Sequence, residues 1–165
     1  MSLVFRNAQL SDVDVCHRIE SSRYPEDEAA SRGNIEKRIA AFAEGFLVAE
    51  RRGEVIGFVN GGATSKVDLA DEEIKAMIGH DPQGENLVIM SVVVDEAVAG
   101  TGVAGRLMKA YVEKAWAQGR KGIFLLCKTH LIPFYEKFGF QWVCKSNSTH
   151  GGAEWHEMAA QLPGS

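Results

Sequence analysis

The chain's 165 residues suffice for one buried core, and 45% hydrophobic with 24% charged residues exclude a disordered tail or a fibre. Lys and Arg number 18 against 22 Asp and Glu, so the formal charge of -4 gives no broad basic footprint, and no nucleic acid is expected as a partner. The longest strongly apolar run, residues 87–94, falls far below the ~20 residues that cross a bilayer, and the N-terminus has no basic stretch leading into an apolar one. A cytoplasmic protein with no membrane partner is therefore expected. Cys16, Cys127 and Cys144 form no CxxC pair, and His17, His80, His130, His150 and His156 form no HExxH pair, so neither a disulfide framework nor a metal site is expected.

Residues 3–6 read as an edge strand, and Ser11 as the N-cap of a helix carried by Val13 and Ile19 to about residue 22. Pro25 stops it and opens the acidic loop Glu26-Asp27-Glu28. Ile35, Ile39, Ala40 and Phe42 are spaced as in a helix over 31–44, ended by Gly45. Residues 46–50 and 55–60 are β-rich and separated by a turn-length segment, which predicts an antiparallel hairpin. Residues 64–83 are polar and predict an excursion with a short helix over 71–78. The apolar run 87–94 predicts a central strand covered on both faces. The next helix, 102–118, carries Val103, Leu107, Tyr111 and Ala115 in one row, with Met108, Val112 and Trp116 beside it. An apolar strand over 123–127 follows, which implies a right-handed crossover and a parallel pair. A short helix over 131–138 with Pro133 in its first turn, then strands over 140–144 and 154–161, close the chain. No repeat or linker interrupts it, so one α+β domain over 1–165 built on a mixed sheet is expected.

The segment Ala99-Gly100-Thr101-Gly102-Val103-Ala104-Gly105 opens the helix after the central strand. Its glycines let backbone amides approach an anion, and the helix N-terminus adds partial positive charge, which suits a phosphate or pyrophosphate. The other reading is a tight turn with close helix packing. Gly100, Gly102 and Gly105 satisfy GxGxxG, but the five residues 95–99 separate them from the strand, and the next strand ends in Cys127-Lys128-Thr129 without the acidic ribose ligand. A Walker loop fails as well, since Arg106-Leu107 stands where Lys and Ser/Thr are needed.

A strand ending Val92-Val93-Val94, a polar turn and this loop together resemble the acetyl-CoA motif of the GNAT superfamily of N-acetyltransferases. A second stretch, Cys127-Lys128-Thr129-His130-Leu131-Ile132-Pro133-Phe134-Tyr135 followed by Gly139-Phe140, is similar to that of the arylalkylamine branch. Taken alone, Pro133-Phe134-Tyr135 also fits core packing on a short helix. The resemblance implies a GNAT-like sheet with antiparallel N-terminal strands and a central parallel pair. It implies acetyl-CoA as cosubstrate, with the pyrophosphate on Ala99 to Gly105, pantetheine along Val92, Val93 and Val94, and Phe134 beside the cofactor. Ala99 departs from the Arg or Gln usual at the start of that loop, which removes one side-chain contact to phosphate.

Acetyl transfer to an amine needs a base for the ammonium, whose pKa lies near ~10, and an acid for the leaving thiolate. Tyr135 matches the acid. The two strand histidines of vertebrate relatives correspond to Val88 and Met90 here, so that base is missing. Insect relatives use a Glu of an Asp-Glu pair after the first helix, which Asp27-Glu28 resembles, so Glu28 is the expected base; a solvated acidic turn is its plain alternative. His130, five residues before Tyr135, is a second candidate, and His80 a residue of the substrate mouth. The acidic group Glu20, Glu26, Asp27 and Glu28 favours a cationic acceptor, an arylalkylamine or a polyamine. A CoA- or nucleotide-binding module without turnover is the alternative, and either a monomer or a homodimer is compatible with the sequence.

Overall fold

In chain order the elements are β1 (Val4–Asn7), α1 (Val13–Arg23), α2 (Arg32–Phe42), β2 (Phe46–Arg51), β3 (Glu54–Thr64) and β4 (Asn86–Val94). They continue as α3 (Val103–Ala117), β5 (Gly122–Lys128), α4 (Ile132–Glu136), β6 (Gln141–Lys145) and β7 (Trp155–Gln161). The structure is a computed structural model and describes residues 2–69, 72–148 and 152–161; Asp71 and His150 lie outside these.

Among the described residues the strands form one sheet in the order β1-β2-β3-β4-β5-β7-β6, antiparallel except for the parallel pair β4 and β5. The strand, helix and strand 87–127 thus make the expected crossover, with α3 between the parallel strands. The return of β7 into the space between β5 and β6 is not visible in the sequence, because neighbouring strands here are not consecutive in the chain.

Side-chain alternation along β2 divides the core. Phe46 and Val48 face α1 and α2, where they meet Cys16, Ile19, Ile35, Ile39 and Phe58, while Leu47 and Ala49 face α3. On that second face Val103, Leu107, Met108, Tyr111, Val112 and Ala115 are all buried, as the helical spacing requires. Tyr111, 1% exposed, sends its hydroxyl to the carbonyl of Gly45 at 2.9 Å.

Local chemistry sets the element ends. Ser31 caps α2 by accepting from the Asn34 amide at 3.1 Å. Ser11 does not cap α1 as expected. It lies within a 3-10 turn, Leu10–Asp12, and the Asp12 carboxylate instead accepts from the Gln9 amide at 2.7 Å and from Arg6 Nη1 at 2.8 Å. The second helix ends earlier than residue 44 and tightens into a 3-10 turn, Ala43–Gly45. The expected helices over 71–78 and 131–138 shorten to a 3-10 turn, Glu72–Ala76, and to a 3-10 turn, Thr129–Leu131, followed by α4. β3 runs on to Thr64 because its glycines keep the extended backbone while approaching their neighbours. A Cβ on Gly61 would stand 2.7 Å from the Val88 carbonyl oxygen and 2.8 Å from Tyr111 Oη.

Candidate active site

β4 and β5 pair only between Asn86–Val88 and Gly122–Phe124. Beyond Val88 the first continues beside β3 to Val94 and the second beside β7 to Lys128. Two parallel strands therefore part in the middle of the sheet, and the edges that face each other lose their ladder partners there. A bulge sits at the parting point. Asn60 is opposite Ser91 and Gly61 opposite Ile89, which leaves Met90 as the extra residue. Its consequence is a change of face: Leu87 and Ile89 enter the core under α3, and past the bulge Val92 and Val94 do so, whereas Val93 turns to the α1 and α2 side.

At the far end of β4, Asp95 caps a 3-10 turn, Glu96–Val98, accepting from the Ala97 amide at 3.0 Å. Ala99 to Gly102 then lead into α3. Gly100 and Gly102 have φ of +79° and +86°, and nothing lies within 4 Å of where their Cβ atoms would be. This left-handed backbone is the reason for glycine, and the absence of side chains keeps open space against the helix start. The amides of Val103, Ala104 and Gly105 have no intrahelical acceptor and face out of the N-terminus of α3, whereas that of Arg106 donates to the Gly102 carbonyl at 3.2 Å. The chain thus has an open strand edge and an amide-rich helix start in sequence, and the residues fit an extended ligand that ends in phosphate.

On the α1 and α2 side the parted strands open into a cavity of about 380 Å³. Val88, Met90, Leu125 and Trp155 give it apolar wall; Tyr24, Tyr135, Glu20 and Glu28 give it polar groups. Tyr24, the residue that ends α1, donates from Oη to the Val92 carbonyl at 3.1 Å and so reaches the open edge of β4. Burial pushes the Tyr24 phenol up to about 12. Tyr135, 7% exposed, is pushed up further, first by desolvation and then by the neighbouring Tyr24. Both phenols therefore hold their protons at neutral pH. Cys127, buried at the end of β5, is raised to about 11 by desolvation and is a packed thiol rather than a ready nucleophile.

Glu28 has a side chain 5% exposed, with Lys128 Nζ 2.8 Å from Oε1. Lys128 is thus the counter-ion at that oxygen, although the contact lacks hydrogen-bond alignment. Lys128 also stands 5.6 Å over the Trp155 ring. Beneath, Arg38 is 3% exposed and donates from Nε to the Lys75 carbonyl at 3.0 Å, with Asn60 and Ser91 both at 3.4 Å from Nη1.

Of the residues singled out in the sequence, Tyr135, Glu28 and Val92 line one cavity, together with Val88 and Met90. Val94 and the loop Ala99 to Gly105 lie outside the cavity lining, and Val93 is buried in the core under α1 and α2. Phe134 does not line the cavity; it packs edge-on against Tyr135 at 5.0 Å and Phe138 at 5.2 Å. His130 is exposed and stands away from it. His80 accepts from the Ala63 amide at 2.9 Å and packs on Phe42, a structural role in place of the expected one at the mouth. Glu26 and Asp27 are exposed outside the cavity. Tyr24, Arg38 and Lys128 received no role from the sequence; the signal for Tyr24 is its place one helical turn after Glu20, directly before Pro25.

Residues 13–140 match the acetyltransferase (GNAT) family. Serotonin N-acetyltransferase of Mesocricetus auratus is 29% identical over 112 residues, 67% of this chain and 52% of that protein, so the chain spans about half the length of this relative. The loading GNATL domain of CurA from Lyngbya majuscula has a TM-score of 0.84 at 12% identity, covering 98% of each chain. The GNAT-like decarboxylase GphF in complex with isobutyryl-CoA also has a TM-score of 0.84, at 17% identity over 96% of this chain and 99% of that one. The parted strands, the glycine loop before α3 and the family match over most of the sequence agree, and the chain belongs to the acetyltransferase (GNAT) family.

Proposed function

We propose that this protein transfers an acetyl group from acetyl-CoA to a small primary amine, by direct attack of the amine on the thioester. One observation carries the reading: Tyr135 and Glu28 line the same cavity, at the place where the central strands part. The family match and the resemblance of the Pro133-Phe134-Tyr135 stretch to arylalkylamine acetyltransferases support it. Acetyl-CoA supplies an acetyl group activated as a thioester. In this reading the amides of Gly102 to Gly105 hold its pyrophosphate, and the open edge of β4 at Val92 and Val94 aligns its arm.

The acceptor enters as an ammonium ion, drawn by Glu20 and Glu28. The Glu28 carboxylate takes its proton, and Lys128, 2.8 Å from Oε1, holds the group in place. The neutral nitrogen forms the new N–C bond while the C–S bond breaks, and Tyr135 gives its phenolic proton to the departing sulfur. The acylated nitrogen, now cationic, sheds its second proton, which restores Tyr135 through solvent, and the proton on Glu28 leaves to solvent, so ammonium and acetyl-CoA become amide, CoA thiol and one free proton. The phenol of Tyr135 holds its proton through the neutral range, so the donor form is the one present.

Release of CoA thiol from acetyl-CoA across tyramine, phenylethylamine, putrescine, spermidine and lysine tests the proposal. At least one amine should give saturable thiol release with one acetylated product. If acetyl-CoA raises Tm and none of the amines releases thiol, the acetyltransferase reading falls and a CoA-binding module remains.

A further inference from the structure

Glu20 is 1% exposed, and its two oxygens have different surroundings. Oε2 accepts from the Ala30 amide, which fixes the carboxylate against the loop after α1. Glu20 lines the cavity, and its Oε1 is buried with no donor among the described residues. Buried polar oxygens in native proteins nearly always have a partner, so this one needs an explanation. Arg38 is in electrostatic range, but its Nε and Nη1 are directed to Lys75, Asn60 and Ser91. Glu28, in contrast, already has Lys128 as counter-ion. The cavity wall therefore carries one buried carboxylate in an ion pair and a second with no ion pair among the described residues.

We infer that Glu20 Oε1 anchors a second, non-reacting ammonium group, which makes a short diamine the preferred acceptor. The inference rests on the amine-acetylating reading above. The nitrogen that attacks must be neutral, so a nitrogen that stays charged against Glu20 is not the one acetylated. Position agrees. Glu20 lies four residues, about 6 Å along the axis, behind Tyr24, whose hydroxyl meets Val92 at the open strand edge. An anchor one turn back holds the far end of the acceptor, and Val88, Met90 and Leu125 cover the methylenes between.

Putrescine and butylamine, which share a four-carbon chain and differ by one ammonium, test it. The wild type should have kcat/KM for putrescine about tenfold or more above that for butylamine, as a charge-assisted hydrogen bond provides. Glu20→Gln keeps an oxygen for the Ala30 amide and removes the charge. It should bring the ratio close to one through KM, with acetyl-CoA affinity confirming the fold. Equal kcat/KM for both amines in the wild type overturns the inference, as does a variant that keeps the ratio or loses kcat equally for both. Calorimetric binding of the two amines to the protein saturated with CoA separates the two readings. Tighter putrescine binding that depends on Glu20, without thiol release, supports the anchor while acetyl transfer fails; thiol release with no preference does the reverse.

Discussion

Tyr135 illustrates what one residue's surroundings decide. Desolvation pushes its phenol above the ordinary range, so it is protonated at neutral pH, as the proposed donor role requires. Tyr135→Phe keeps the ring against Phe134 and Phe140 and removes only the proton. The expected result is a fall in kcat of about 10²–10⁴-fold with little change in acetyl-CoA affinity. Substituting an acyl donor with a more acidic thiol should shrink the loss, because a better leaving group needs less protonation. Wild-type turnover by the variant would remove the acid assignment. Tyr135 was legible in the sequence because its neighbours form a local motif. Tyr24 was not, since its hydroxyl meets a carbonyl 68 residues away and no local pattern encodes that distance. The Glu28 and Lys128 pair is equally non-local: the Asp27-Glu28 pair pointed to Glu28 in the sequence, and nothing there pointed to Lys128 as its partner.

At the scale of elements, α3 and its preceding loop bind the argument together. The helix could be read from its spacing because one face meets the sheet along its whole length, and the buried rows repeat at 3.6 residues. The bulge at Met90 could not be read, since an extra residue in an apolar run looks like any other until its partner strand is known. The loop glycines can be separated into backbone and space requirements. At φ +86° and with open space around its Cβ position, Gly102 accepts Asn with little strain, while Val adds strain of order 1–2 kcal/mol. Gly102→Asn should then weaken acetyl-CoA binding by about tenfold with an unchanged Tm, and Gly102→Val should lose both affinity and Tm. Titration of acetyl-CoA by calorimetry with parallel melting curves measures both. An Asn variant that binds like the wild type would mean that the loop is a turn and not a cradle.

For the whole molecule, the two apolar faces of the sheet are joined by polar groups whose protonation is coupled to folding. His80 sits between β3 and Phe42 with Nδ1 accepting from the Ala63 amide, so the folded state requires that nitrogen unprotonated. Burial lowers its pKa below the ordinary value, and Arg120 adds to the effect. The unfolded chain takes up the proton near pH ~6.5, before the folded one does. The stability from His80 is therefore complete above that pH and is lost as pH falls through the lower, folded pKa. Asp12 acts in the same direction at lower pH. Its hydrogen bond to Arg6 lowers its pKa, so its contribution is present above ~3.9 and disappears in stronger acid. His80→Asn retains an acceptor for the Ala63 amide and does not titrate. Melting curves between pH 7.5 and 5 should show the wild-type Tm falling more steeply than that of the variant, by about a few degrees over the interval. The two should run parallel below that window, where the carboxylates dominate both. Parallel curves throughout would mean that His80 takes up its proton without releasing Ala63, and that the tie between β3 and the His80 turn carries no pH dependence.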